Sequence, residues 1–90
     1  MVTLMVRTTV ADYATYRSVF DAHEGLRRAH GATGVVQIYQ DVDNPNQVTT
    51  LVEWDSVENA RKFASSPELK EAMQEAGVNS VPEVHFLNHA

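Results

Sequence analysis

Residues 35 to 54, VVQIYQDVDNPNQVTTLVEW, hold two runs of β-forming side chains around one dense turn signal. Val35–Gln40 and Val48–Trp54 are rich in β-branched and aromatic residues, and Asp41, Asp43, Asn44, Pro45 and Asn46 between them favour a tight turn. The two runs read as an antiparallel hairpin. Large apolar residues fall on both alternating sets. Val48, Thr50, Val52 and Trp54 oppose Leu51, and Val35 with Tyr39 opposes Val36 with Ile38. Helices can cover only one face of such a sheet. The other face asks for a second cover, and another copy of the chain is the simplest one.

Outward from the hairpin, Val2–Thr9 alternates Val2, Leu4, Val6 against Thr3, Met5, Arg7, the pattern of a half-buried strand. Asp12 opens a helical segment expected to run to about His30 and to stop at Gly31. After Trp54, Asp55 and Ser56 can cap a second helix, with Glu58 placed to complete a capping box. Ser65, Ser66 and Pro67 interrupt that helix, and Pro67 suits the first position of a new one that reaches about Ala76 before Gly77. Pro82 is compatible only with the start or edge of a last strand, Glu83–Leu87. The order is βαββαβ. Right-handed crossovers close it into one α+β, ferredoxin-like sandwich over residues 1–90.

With 90 residues and no cysteine, the chain makes a thin core without disulfide support, a second reason to expect a dimer. Lack of cysteine also fits a cytoplasmic location. A net charge of −5 with only seven Lys and Arg gives no basic stripe for nucleic acid. No apolar run approaches the ~20 residues that cross a bilayer, and Met1–Val10 lacks the layout of a secretory leader. The expectation is a soluble cytoplasmic protein without nucleic-acid or membrane partners.

The first helix holds the candidate chemistry. At about 100° per residue, Tyr16, Phe20, His23 and Arg27 share one narrow arc, flanked by Val19 and Leu26. His23 is thereby a candidate acid/base and Arg27 a candidate partner for a substrate oxygen. A histidine bonded to a backbone carbonyl, with Arg27 reaching the edge, is the structural alternative. Trp54, Phe63, Tyr39, Tyr16, Phe20 and His85 are candidates to line a substrate pocket, although a lone tryptophan commonly serves the core. His85 and His89 are about 13 Å apart along a strand, too far to share a metal, so no metal site is expected. No phosphate loop or nucleophile elbow is present.

Asp43-Asn44-Pro45-Asn46-Gln47-Val48, Glu53-Trp54-Asp55 and Phe63-Ala64-x-Ser66-Pro67-Glu68-Leu69-Lys70 resemble the antibiotic biosynthesis monooxygenase-like group of the dimeric α/β-barrel superfamily. Phe20-Asp21-Ala22-His23-Glu24 followed by Arg27 is similar to a branch described as cyclase-like or uncharacterised. The resemblance implies a dimeric α/β barrel and a cofactor-independent oxygenase or cyclase acting on an aromatic or polyketide-like molecule. In the oxygenase version the deprotonated substrate itself delivers an electron to oxygen; in the cyclase version it closes a ring. Haem-degrading relatives carry a Trp and a His on the second helix and an Asn on the first strand. Phe63 and Met73 stand at those helix positions, and the first strand has no Asn, which argues against haem degradation. The rival reading is a non-catalytic dimer that binds a small molecule or supports a partner.

Overall fold

The computed structural model describes residues 1–90. Its elements are β1 (Val2–Thr9), α1 (Tyr13–Ala22), α2 (Glu24–Ala29), β2 (Ala32–Gln40), β3 (Gln47–Trp54), α3 (Val57–Ala64), α4 (Pro67–Glu75) and β4 (Glu83–Asn88). The strands form one sheet in the order β2-β3-β1-β4, with every neighbouring pair antiparallel. This is the ferredoxin-like arrangement expected of βαββαβ, with all the helices on one face. No helix is long and apolar enough to cross a membrane.

Local chemistry sets most of the boundaries. Asp12 accepts from the Thr15 backbone at 3.0 Å and from its hydroxyl at 2.9 Å, which starts α1. These two bonds hold the Asp12 carboxyl below its ordinary pKa, the side-chain bond first. Ser66 caps α4 with Pro67 in its first turn. Gly31 follows α2 with φ at +115°, and a Cβ there would lie 2.7 Å from Asp55 Oδ1.

Three expectations need correction. The segment from Asp12 to His30 is two helices, broken at His23 (φ −98°, ψ 12°). The ring Nδ1 of His23 and its own backbone N–H both address the Val19 carbonyl, and Gly25 just beyond adds little helical preference. The expected capping box does not form around Glu58. Ser56 caps α3 through the Asn59 N–H, and the Asn59 side chain reaches back to Asp55 Oδ1 at 2.9 Å. Finally, β2 begins at Ala32 rather than Val35. Gly34, at φ +100°, lies within a register shift between Ala32 and Val36, so Ala32 still pairs with Trp54.

Strand register divides the side chains. Val2, Leu4, Val6 and Thr8 face the helices, opposite Trp54, Val52, Thr50 and Val48 respectively. The core they build is split in two. One cluster gathers Leu4, Val52, Trp54, Ala60 and Phe63. The other gathers Val10, Tyr16, Val48 and Ala76. Phe20 packs against both.

Candidate functional site

The space between the two clusters is a cavity of about 70 Å³ under the helices. Val6 and Thr50, opposite each other in the register, lie along its floor. α1 and α2 supply Tyr16, Phe20, His23 and Arg27, and α3 and α4 close the other side. Phe63 packs against Trp54 with ring centroids 4.9 Å apart and planes tilted by 37°, and both line the cavity. The lining contains no Asp, Glu or Lys.

Arg27 is the one side chain in that lining with a fixed charge. It is 6% exposed, and no carboxylate lies within ion-pair distance of it. Its Nη1 donates to the Phe20 carbonyl at 2.7 Å, and the guanidinium lies 3.8 Å over the Phe20 ring. Burial lowers its pKa, partly offset by Glu24, Tyr16 and Asp21. A guanidinium still keeps its proton at neutral pH. Arg27 and Phe20 also border a depression of about 310 Å³ beside Gly34 and Val36, so the pair stands between the cavity and the outside.

His23 lines the same cavity, half-buried. Its Nδ1 must carry the hydrogen to bond the Val19 carbonyl at 2.8 Å, which leaves Nε2 with the lone pair in the neutral ring. No protein group bonds Nε2. The carbonyl contact of the structural alternative is thus present, and it fixes the tautomer that a base needs. Tyr16 is pushed up to about 12 by burial, against the opposing influence of Thr50 and Arg27, and stays a hydrogen-bond donor.

Of the eight expected site residues, six come together: His23, Arg27, Tyr16, Phe20, Trp54 and Phe63. Tyr39 and His85 do not. Tyr39 pairs with Thr49 and His85 with Met5, both on the sheet face away from the helices, and His85 contacts Glu83 at 3.2 Å. Their expected place in the pocket is corrected: strand alternation sends them outward.

Sequence reasoning overlooked Thr8 and Thr50. Thr8 is 3% exposed and lines the cavity, and its Oγ1 has no hydrogen-bond partner. The indole Nε1 of fully buried Trp54 is also unpartnered. Carrying the alternation of Val2, Leu4 and Val6 one step further would have placed Thr8 among them.

These features define an α+β domain with a partly open, mainly apolar cavity lined by one buried cation. The same fold recurs across known structures over nearly the whole chain. A Bordetella bronchiseptica protein provisionally assigned as an antibiotic biosynthesis monooxygenase matches with a TM-score of 0.82 at 21% identity, covering 99% of this chain and 96% of that one. SnoaB, a cofactor-independent oxygenase from Streptomyces nogalater, matches with a TM-score of 0.78 at 19% identity, covering 99% and 92%. A provisionally assigned antibiotic biosynthesis monooxygenase from Caulobacter crescentus matches with a TM-score of 0.74 at 16% identity, covering 99% and 89%. No family model and no curated protein matches the sequence. The resemblance carried by the hairpin, Glu53-Trp54-Asp55 and the Ser66-Pro67 segment thus has a structural counterpart, and at these identities it is a likeness of fold.

Proposed function

We propose that this protein is a small cofactor-independent enzyme that removes a proton from an oxygenated aromatic or polyketide-like molecule held in the cavity. One observation carries the reading: a buried Arg27 without a carboxylate partner shares an acid-free cavity with His23, whose Nε2 is free. An unpaired buried cation is unfavourable by itself and becomes favourable when an anion arrives. In the proposed step a substrate proton moves to His23 Nε2 and the electron pair settles on a substrate oxygen. Arg27 holds that oxygen with its unused N–H groups, and Tyr16 is a second donor. Dryness of the surrounding aliphatic wall strengthens both interactions. The fold it shares with a cofactor-independent oxygenase supports the monooxygenase version, and proton abstraction serves a cyclase equally.

A chromophoric phenol tests the step. Para-nitrophenol bound beside Arg27 should have its pKa lowered by about one unit, which a charge interaction of about 1.4 kcal/mol produces. Its yellow phenolate absorbance would then rise at constant pH. Arg27→Met should abolish the rise. Binding without any change in the phenolate fraction would sink the oxyanion role. Once a turnover assay exists, His23→Gln should slow it by roughly 10²–10⁴-fold, and full retained activity would favour a binding protein instead.

The functional unit in this proposal is a homodimer formed through the outer sheet face. Leu51 and Met5 stand opposite each other at its middle, with Val35, Tyr39 and Leu87 around them. Glu53 lies towards one end of this face and Arg7 towards the other, an arrangement that a two-fold axis makes self-complementary.

A further inference from the structure

We infer that the cavity's ligand continues past α4 into the groove between α4 and β4, where Lys70 and Gln74 hold a carboxylate on its tail. This rests on the reading that the cavity is a ligand site, and it adds a second subsite and a charge to the ligand. Size is the first reason. At about 10–15 Å³ for each water-sized site, 70 Å³ has room for roughly five to seven of them, about one aromatic ring. A larger molecule has to continue elsewhere. The groove between α4 and β4 holds about 640 Å³, and Leu69, Met73 and Val78 line both spaces. Each of these three side chains is only partly buried. α4 is also the one helix that contributes no buried residue, whereas Tyr16, Arg27 and Phe63 anchor α1, α2 and α3. The shared wall is therefore the least anchored part of the enclosure, and the flexible thioether of Met73 is its most adaptable member.

Charge is the second reason. The chain carries a net charge of −5, yet no Asp or Glu lines either the cavity or the groove. Each space has one fixed cation, Arg27 inside and Lys70 outside. Lys70 forms no ion pair, and Gln74, one helical turn later, adds an amide donor on the same side of α4. The groove's serines are already engaged. Ser65 and Ser66 donate to the Arg61 and Phe63 carbonyls, and Ser80 accepts from the Thr9 N–H. The opposite side of the cavity is unsuited to an anion. Asp21 and Glu24 line the depression beyond Arg27, where Arg17 is already paired with Asp21 at 3.0 Å. A ligand with its reacting ring beside Arg27 and His23, an apolar linker across Leu69 and Met73, and a carboxylate at Lys70 meets both cations.

Calorimetry with three phenols tests this: para-cresol, para-hydroxyphenylhexanoate and the primary amide of that acid. The acid should bind at least tenfold more tightly than para-cresol, because its methylenes leave water for the groove. It should also bind about three- to fivefold more tightly than the amide, the size of an exposed ion pair. Lys70→Met should remove the acid's advantage over the amide and leave para-cresol binding unchanged. Methionines labelled with ¹³C at the methyl group locate the tail. Met1 is 75% exposed and Met5 lies on the outer sheet face, so Met73 alone reports on the shared wall. The acid should shift the Met73 signal and not that of Met5. If the acid binds no better than para-cresol, or if Lys70→Met leaves the acid-to-amide ratio unchanged, the second subsite falls while the cavity remains a ligand site. If Arg27→Met and not Lys70→Met removes that ratio, the carboxylate lies inside and the orientation is wrong. If none of the phenols binds, this inference and the proposed function fall together.

Discussion

The two faces of the sheet are made from the same strands and differ in almost everything else. Towards the helices, Val48 and Trp54 are completely buried, and the only polar groups are threonines, the orphaned indole N–H and whatever α1 and α2 contribute. Away from the helices, Val35 is 56% exposed and Tyr39 52%, among Arg7, Glu53 and Glu83. Both faces carry apolar side chains. The first is organised around a cavity it cannot fill, and the second around a surface it has no means to cover. Apolar content alone therefore does not distinguish the two faces; the helix side alone seals unpaired polar atoms in with its apolar ones.

Substitutions can separate the two faces. The largest expected effect is on the helix face: Trp54→Ala removes the partner of Phe63 and should destabilise the fold by about 3–5 kcal/mol in chemical denaturation. A loss under about 1 kcal/mol would mean that this end of the core is already loose. Next is alkaline pH. Tyr16 is held to about 12 when folded, against 10.0 ordinarily. Above the ordinary value the unfolded chain loses this proton while the folded chain keeps it. Stability should fall between pH 10 and about 12, by about 2–3 kcal/mol in all. Tyr16→Phe should flatten that stretch of the profile; an unchanged slope would assign it to other groups.

On the outer face, Leu51→Glu places a carboxylate opposite Met5. It should raise the dimer dissociation constant at least tenfold, about 1.4 kcal/mol, with a smaller effect on the monomer's own stability. Sedimentation across a dilution series measures this, and a wild-type monomer at micromolar concentration would end the dimer proposal. The smallest effect returns to the helix face. Thr8→Val relieves a buried hydroxyl without a partner and should stabilise the empty protein by up to about 1 kcal/mol. Destabilisation of that size would mean that the hydroxyl is already satisfied.

His23 and Arg27 were legible in the sequence because a 3.6-residue period carries phase, and the break at His23 leaves Arg27 in the cavity that Tyr16 and Phe20 line. The break at His23 was not legible. It arises where a ring nitrogen competes for the Val19 carbonyl, and no hydropathy pattern records such a contact. Tyr39 and His85 were misplaced for a different reason. Alternation says which residues share a face, yet on β2 both sets are apolar, and on β4 Glu83, His85 and Leu87 alternate with Val84, Phe86 and Asn88. Only the pairing of Met5 with His85 and of Val36 with Val52 shows which set the helices cover.

By itself the sequence determined the hairpin at 35–54, the order βαββαβ and the buried stripe of the first helical segment. Those depend on local turn chemistry and on side-chain period, which neighbours in the chain are enough to express. Tertiary structure alone decided that the core divides into two clusters with a cavity lined by both. It also decided that Arg27 lines that cavity without a carboxylate partner, and that Thr8 Oγ1 and Trp54 Nε1 are buried without hydrogen-bond partners. Cavities and missing partners are properties of how distant segments pack, and no stretch of chain carries them alone.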